Sequence, residues 1–258
     1  MASTSADSTS PKVAGDLSVA DLRNALLAGW RDFLAAPVYG LFFGAIYALA
    51  GALAAYAMIV RGELVWLIPL TAGFPLIAPF AAVGLYEVSR RRERGMPLGW
   101  RGVLGALRGR GDEQFLLMGG FVFVAFSFWV IIAHVIFSIF MTQSGVGREP
   151  LAALLTPEGL TMLAVGTAFG AGLAWAFYCV TVMSLPMLLD RDVDFITAII
   201  ASVKAVQQNP VIMLAWASLV AVTLFAAMLP IFLGLLVALP VLGHATWHLY
   251  RRTVIGSA

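Results

Sequence analysis

The sequence predicts an all-α membrane protein, and three observations carry that reading. The first is composition: 61% of the 258 residues are hydrophobic and 12% are charged, where a soluble globular domain carries about 25% charge. The second is apolar length. Residues Val211–Tyr250 contain no Asp, Glu, Lys or Arg over 40 positions. The third is the placement of cations. Ser89–Arg110 holds seven arginines (Arg90, Arg91, Arg92, Arg94, Arg101, Arg108 and Arg110) opposed within the stretch only by Glu93. It sits between two long apolar segments, as short basic loops do on the cytoplasmic side of a membrane.

The elements follow in order. Met1–Asp16 is rich in Ser, Thr and Ala, has no apolar signal-peptide core, and reads as a disordered cytoplasmic tail. Residues 17–258 read as a single six-span domain. Ser18–Ala36 reads as an amphipathic helix with Leu22, Leu26, Trp30 and Phe33 on one face and Arg23, Asn24, Arg31 and Asp32 elsewhere. Ser18 and Asp21 are spaced as a capping box, and Pro37 begins the next helix where its missing N–H costs nothing.

The first span runs from about Val38 to Val60, with Gly40, Gly44, Ala48 and Ala52 at every fourth position, a stripe that lets another helix approach closely. Arg61-Gly-Glu63 makes an outer turn. The second span, Leu64–Val88, carries Pro69, Pro75 and Pro79 with Gly73 and is expected to be kinked or broken. The third, about Phe115–Met141, leads to a polar outer loop. The fourth, about Glu158–Leu185, carries a second small-residue stripe at Gly166, Gly170 and Ala174. Asp190, Asp192 and Asp194 read as a solvated turn with Asp194 as helix cap, rather than as a metal site. The amphipathic helix that follows, up to Asn209, has Ile196, Ile199, Ile200, Val203 and Val206 as its apolar positions. A single helix over Val211–Tyr250 would be about 60 Å long, twice the roughly 30 Å hydrocarbon core. The stretch is therefore two spans joined by a turn near Met228–Ile231.

Six spans place both termini in the cytoplasm. Of 16 Lys and Arg residues, only Arg61 and Arg148 then fall in outer loops and the other 14 lie inside. Arg90, Arg91, Arg92, Arg94, Arg251 and Arg252 are assigned to topology and lipid contact. The units beginning near Val19, Leu98 and Asp194 each comprise a short cytoplasmic amphipathic helix, a span out and a span back. The middle helix presents Trp100, Val103, Leu104 and Leu107. Pro79, Pro186 and Pro240 recur toward the inner half of the returning span, which suggests a threefold repeat of helical hairpins.

The chemistry is sparse. His244 and His248 are one helical turn apart, and His134 lies nearer the outer end of its span. That depth mismatch argues against a bis-histidine haem. His244, His248 and Glu87 form the candidate metal set. The alternative is that His248 and Glu87 reach water while His244 bonds within the bundle. No acidic or basic residue lies at the middle of any span, which weighs against ion-coupled transport. Cys179 is the only cysteine, so no disulfide or multi-cysteine metal site forms within one chain. The nucleotide, Gly-x-Ser-x-Gly and His-Glu-x-x-His motifs are missing, and nothing points to an enzyme or a cofactor. The expected partners are the lipid bilayer and other subunits of a membrane complex, with no nucleic acid.

Four stretches carry a resemblance: A-D-L-R-N-A-L-L-A-G-W-R-D-F, P-V-Y-G-L-F-F-G-A-I-Y-A-L, F-P-L-I-A-P-F and the terminal L-P-V-L-G-H-A-T-W-H-L-Y-R-R, with Gly243, His244, Trp247, His248 and Tyr250 its most specific residues. Together they resemble an uncharacterised proteobacterial family of integral membrane proteins, a domain of unknown function. The resemblance implies a membrane location and six spans, and no activity; the expected location is the bacterial inner membrane. Some members carry a cytochrome oxidase subunit label, but the three histidines here cannot supply an oxidase core. The expected function is a non-enzymatic structural or accessory component of a membrane complex. The alternative is a carrier or channel for a small neutral or amphipathic solute.

Overall fold

A computed structural model describes residues 12–62, 82–108, 112–141 and 154–255. The helices are α1 (Val19–Ala35), α2 (Pro37–Arg61), α3 (residues 82–93), α4 (Trp100–Leu104, continued by a 3-10 turn to Arg108), α5 (Asp112–Met141) and α6 (Pro157–Thr181). They continue with α7 (Ser184–Asp190), α8 (Phe195–Gln208), α9 (Pro210–Met228) and α10 (Leu235–Thr253). Pro37–Arg61, Glu113–Phe140, Pro157–Asp190 and Pro210–Met228 are long and apolar enough to cross a bilayer. The proline-rich outer part of the second expected span, Pro69 to Pro79, and the loop holding Arg148 lie outside the described residues.

The boundaries follow from local chemistry. Ser18 caps α1, accepting from Asp21 N while the Asp21 carboxylate accepts from Ser18 N, a complete capping box. Ala36 breaks the helix and Pro37 restarts it as α2, which ends on Gly62 in the left-handed conformation (φ 72°). Asp194 caps α8 by accepting from Thr197 N. Asn209 then breaks the chain before Pro210 with a backbone (φ −132°, ψ 51°) close to that of Ala36 (φ −140°, ψ 53°).

The chain from Asp21 to Gly51 runs antiparallel along Phe232–Arg252. Gly29 faces Val241 and Ala245, Gly40 faces Pro240, Gly44 faces Leu235 and Leu236, and Gly51 receives the Phe232 ring. Asp21 pairs with Arg252 at the far end. This seam lies along Gly40 and Gly44 of the first small-residue stripe and extends into α1. Ala48 is buried with it. The second stripe is only partly used. Gly170 accommodates the Trp129 ring of α5, whereas Gly166 meets open space and Ala174 is exposed. The buried row of α6 instead follows Met162, Gly170, Phe177 and Thr181.

Two faces differ from the sequence reading for one reason. α1 buries Leu22, Ala25, Gly29, Asp32 and Phe33, and leaves Trp30 exposed. α8 buries Ala198, Ala201, Ser202, Ala205 and Val206, and leaves Ile196 and Ile200 exposed. Lipid is as apolar as leucine, so large side chains gain little by turning inward, and helices meet where small residues let backbones approach.

Each amphipathic helix lies on a returning helix. α1 packs on α10, α4 packs on α3 through Val103 and Val88, and α8 packs on α6 and α7. Ser202 Oγ fixes the last of these, donating to Cys179 O at 2.7 Å and accepting from Met183 N at 3.1 Å. The first and last described segments also meet. Lys12–Val13 pairs antiparallel with Val254–Ile255, and Asn209 Nδ2 donates to Ala14 O. The expected disordered tail is thus corrected from Lys12 onward: these residues find backbone partners in the last strand. Finally, α10 is almost wholly buried by protein over Leu242–Tyr250, so the inner half of the expected sixth span is covered by α1 and α3, not by lipid.

Candidate functional site

Helices α3 and α7 and the carboxy-terminal part of α10 form the most buried part of the described chain, and charged and polar side chains converge there. Residues 82–89 are buried throughout, as are Ser184–Leu188 with Asp190, and Leu242–Trp247 with Leu249 and Tyr250. Placing charge there is costly unless each group is paired and hydrogen-bonded. The pairs come from distant parts of the chain.

The first cluster centres on Asp32 of α1. Its Oδ2 accepts from Ser89 Oγ at 2.6 Å and contacts His248 Nε2 at 2.8 Å, and its Oδ1 accepts from Arg92 Nε at 2.8 Å. Burial alone would raise the Asp32 pKa. The hydrogen bonds from His248 and Ser89 and the cationic neighbours outweigh it and hold the carboxyl down at about 2. An ionised Asp32 can only accept, so the Ser89 hydroxyl hydrogen points to it. Ser89 Oγ is then left to accept from His244 Nδ1, 2.8 Å away. That assigns the His244 tautomer from the network. Its Nε2, the acceptor in that tautomer, has no hydrogen-bond partner among the described residues.

The second cluster centres on Asp190, whose carboxylate is fully covered. It accepts from Arg94 at 2.7 Å, from Arg251 at 3.0 Å and from Tyr250 Oη at 3.0 Å. Glu93 accepts from Arg251 and from the Trp247 indole, each at 3.0 Å. The reading of Asp190 as part of a solvated turn is therefore corrected: its neighbours in space are the arginines of two other segments. Asp194 does cap its helix.

The candidate metal residues separate. Glu87 is held by Arg90 at 2.7 Å and Arg91 at 2.6 Å, while His244 and His248 turn to Ser89 and Asp32. His134 is exposed on the carboxy-terminal half of α5, about 33 Å along the helix from its start at Asp112. Among the described residues no three His, Cys, Asp or Glu side chains are arranged to hold a metal ion.

Arg90, Arg91, Arg92, Arg94, Arg251 and Arg252 each meet a carboxylate, the last pairing with Asp16 and Asp21. These basic residues tie α1, α3, α7 and α10 together. The sequence reading missed Asp32, Ser89 and Asp190. Asp32 carried one usable signal: it stands one turn after Gly29, on the small-residue face.

Neither a curated protein nor a solved structure matches this chain. Of the four stretches that carry the sequence resemblance, only F-P-L-I-A-P-F falls within the segment that a known family covers. The long apolar helices agree with that family's description. Over residues 67–190 the chain matches the family described as "Predicted integral membrane protein (DUF2189)".

Proposed function

We propose that this protein is a non-enzymatic structural or accessory component of a larger complex in the bacterial inner membrane. It crosses six times with both ends in the cytoplasm. The observation that carries the proposal is the α5–α6 hairpin. Its two outer apolar clusters, around Trp129 and around Met162, are separate from the main core. Gly120, Gly166 and Gly172 meet nothing within 4 Å of where a side chain would begin. A hairpin so open and so small-faced suits close approach by a helix of another subunit. The charged groups of the clusters around Asp32 and Asp190, by contrast, are consumed in pairing with one another.

The pairing of Lys12–Val13 with Val254–Ile255 supports an even number of crossings, and the basic inner segments support the cytoplasmic side. A threefold repeat is supported by the cyclic packing. The units are α1–α3, α4–α7 and α8–α10, and each amphipathic helix lies on the returning helix of the preceding unit. The matching breaks at Ala36-Pro37 and Asn209-Pro210 add to it.

A second reading, a carrier or channel for a small neutral or amphipathic solute, draws on His244, a buried imidazole with an unspent nitrogen.

The test is purification of the tagged protein from native membranes in mild detergent, with mass spectrometry and a visible spectrum. A stoichiometric partner that is lost from Gly166→Leu or Gly172→Leu protein of unchanged thermal stability supports the proposal. A solitary, colourless protein overturns it and directs work to solute flux.

A further inference from the structure

Among the described cations two sets stand apart, and the difference between them points to a ligand. Those on α3 and at the end of α10 are matched by carboxylates. Arg23 and Arg31 on α1, Arg101 on α4 and Lys204 on α8 have no carboxylate partner among the described residues, and all four are exposed. Each stands beside exposed large apolar side chains. Arg23 and Arg31 flank Leu27 and Trp30, 42% and 43% exposed. Arg101 adjoins Trp100, 38% exposed, and Lys204 lies one turn from Ile200, 61% exposed. α1 and α8 lead directly into candidate spans at Pro37 and Pro210, and α4 precedes the span from Glu113 after a short connection. All three therefore lie at the same ends of their spans.

A helix that packs small residues on protein and shows both tryptophan or isoleucine and an unmatched cation to the outside is built for the headgroup layer. There the apolar groups enter the acyl boundary and the cations meet phosphate. We infer that α1, α4 and α8 form a collar that selects anionic phospholipid headgroups around the inner rim of the bundle. Arg23, Arg31, Arg101 and Lys204 are the selecting charges, and Trp30 and Trp100 the interfacial anchors. The arginines of the Ser89–Arg94 stretch do not take part, because their charge is already met within the protein. The inference rests on α1, α4 and α8 lying at the headgroup layer of spanning helices. It depends neither on which side of the membrane is cytoplasmic nor on the presence of a partner subunit.

The test uses the full-length protein in phosphatidylcholine vesicles with a trace of spin-labelled phosphatidylglycerol or phosphatidylcholine. Electron paramagnetic resonance then reads the motionally restricted fraction. Juxtamembrane cations favour anionic lipid by roughly fivefold each, so the wild type is expected to prefer phosphatidylglycerol several-fold, less so at high salt. The combined Arg23→Gln, Arg31→Gln, Arg101→Gln and Lys204→Gln protein is expected to show a ratio near one. Arg23→Lys with Arg31→Lys and Arg101→Lys keeps the preference, and so does Arg90→Gln. Where the fourfold variant does not reconstitute, Arg23→Gln with Arg31→Gln, and Arg101→Gln with Lys204→Gln, are each expected to lose part of the preference. A wild type without preference, a neutralised variant that keeps it, or loss caused by Arg90→Gln would overturn the inference.

Discussion

Asp32 Oδ2 and His248 Nε2 lie 2.8 Å apart although 216 positions separate them in the chain. The contact joins the carboxy-terminal end of α1 to that of α10 and recruits Ser89 and Arg92 from α3. Three elements thus share one carboxylate. The Asp32 pKa, held at about 2 against an ordinary 3.8, makes this contact pH-dependent. A depressed carboxyl stabilises the folded state above its unfolded value, and that contribution is lost as pH falls through the folded value. About 2 kcal/mol is expected to disappear between pH 4 and pH 2. Thermal unfolding in detergent across that range should reveal the loss, and Asp32→Asn protein should not show it.

Asp190 makes a sharper prediction. Its carboxylate is covered, while Arg94 and Arg251 are 39% and 37% exposed and can turn to water when unpaired. Asp190→Ala is therefore expected to cost about 1–3 kcal/mol, less than the loss of one partner of a fully buried pair. Arg94→Ala should cost less than 1 kcal/mol. A double-mutant cycle over Asp190 and Arg94 measures the coupling.

Glycines on the two faces of the bundle should respond in opposite directions. A Cβ on Gly29 would lie 2.6 Å from Ala245 N and 2.7 Å from Val241 O, backbone atoms that cannot move aside cheaply. Gly29→Ala should lose about 1–3 kcal/mol. Gly172→Ala meets open space in a helix and should gain about 0.5–1 kcal/mol. Melting temperatures of the two variants in one detergent decide the matter.

Asn209 fastens the amino-terminal segment. Its Oδ1 accepts from Leu17 N at 3.0 Å and its Nδ2 donates to Ala14 O at 2.7 Å. Asn209→Ala should free residues 12–17, leave two buried backbone groups unmet and cost about 1–3 kcal/mol. Faster limited proteolysis between Lys12 and Leu17, with the rest of the chain intact, is the expected readout.

Much of this architecture was legible from residues alone: the apolar segments, the capping box at Ser18, the proline starts at Pro37 and Pro210, and the close approach at Gly40 and Gly44. The orientation of the amphipathic helices was not. A hydrophobic face marks the protein interior when the outside is water, but Trp30, Ile196 and Ile200 have lipid as an alternative. The candidate site was hidden for another reason. The arginine stretch looked unopposed because its carboxylates, Asp32 and Asp190, are supplied from about 60 to 100 positions away. Such pairing leaves no periodic trace in sequence.

The antiparallel seam between Asp21–Gly51 and Phe232–Arg252 also orders events at the ribosome. α1 and α2 receive their principal partner from α10, which is translated about two hundred positions after them. Until α10 emerges, the narrow glycine surface of α1 and α2 has nothing against it and Asp32 lacks its imidazole. The bundle therefore closes only once α10 has emerged, through contacts that span 216 and 231 positions, which makes closure slow and exposed to error. A nascent chain stopped short of Leu235 would carry the four long apolar helices and still lack the piece that locks them, a ready mark by which quality-control proteases distinguish closed from unclosed copies.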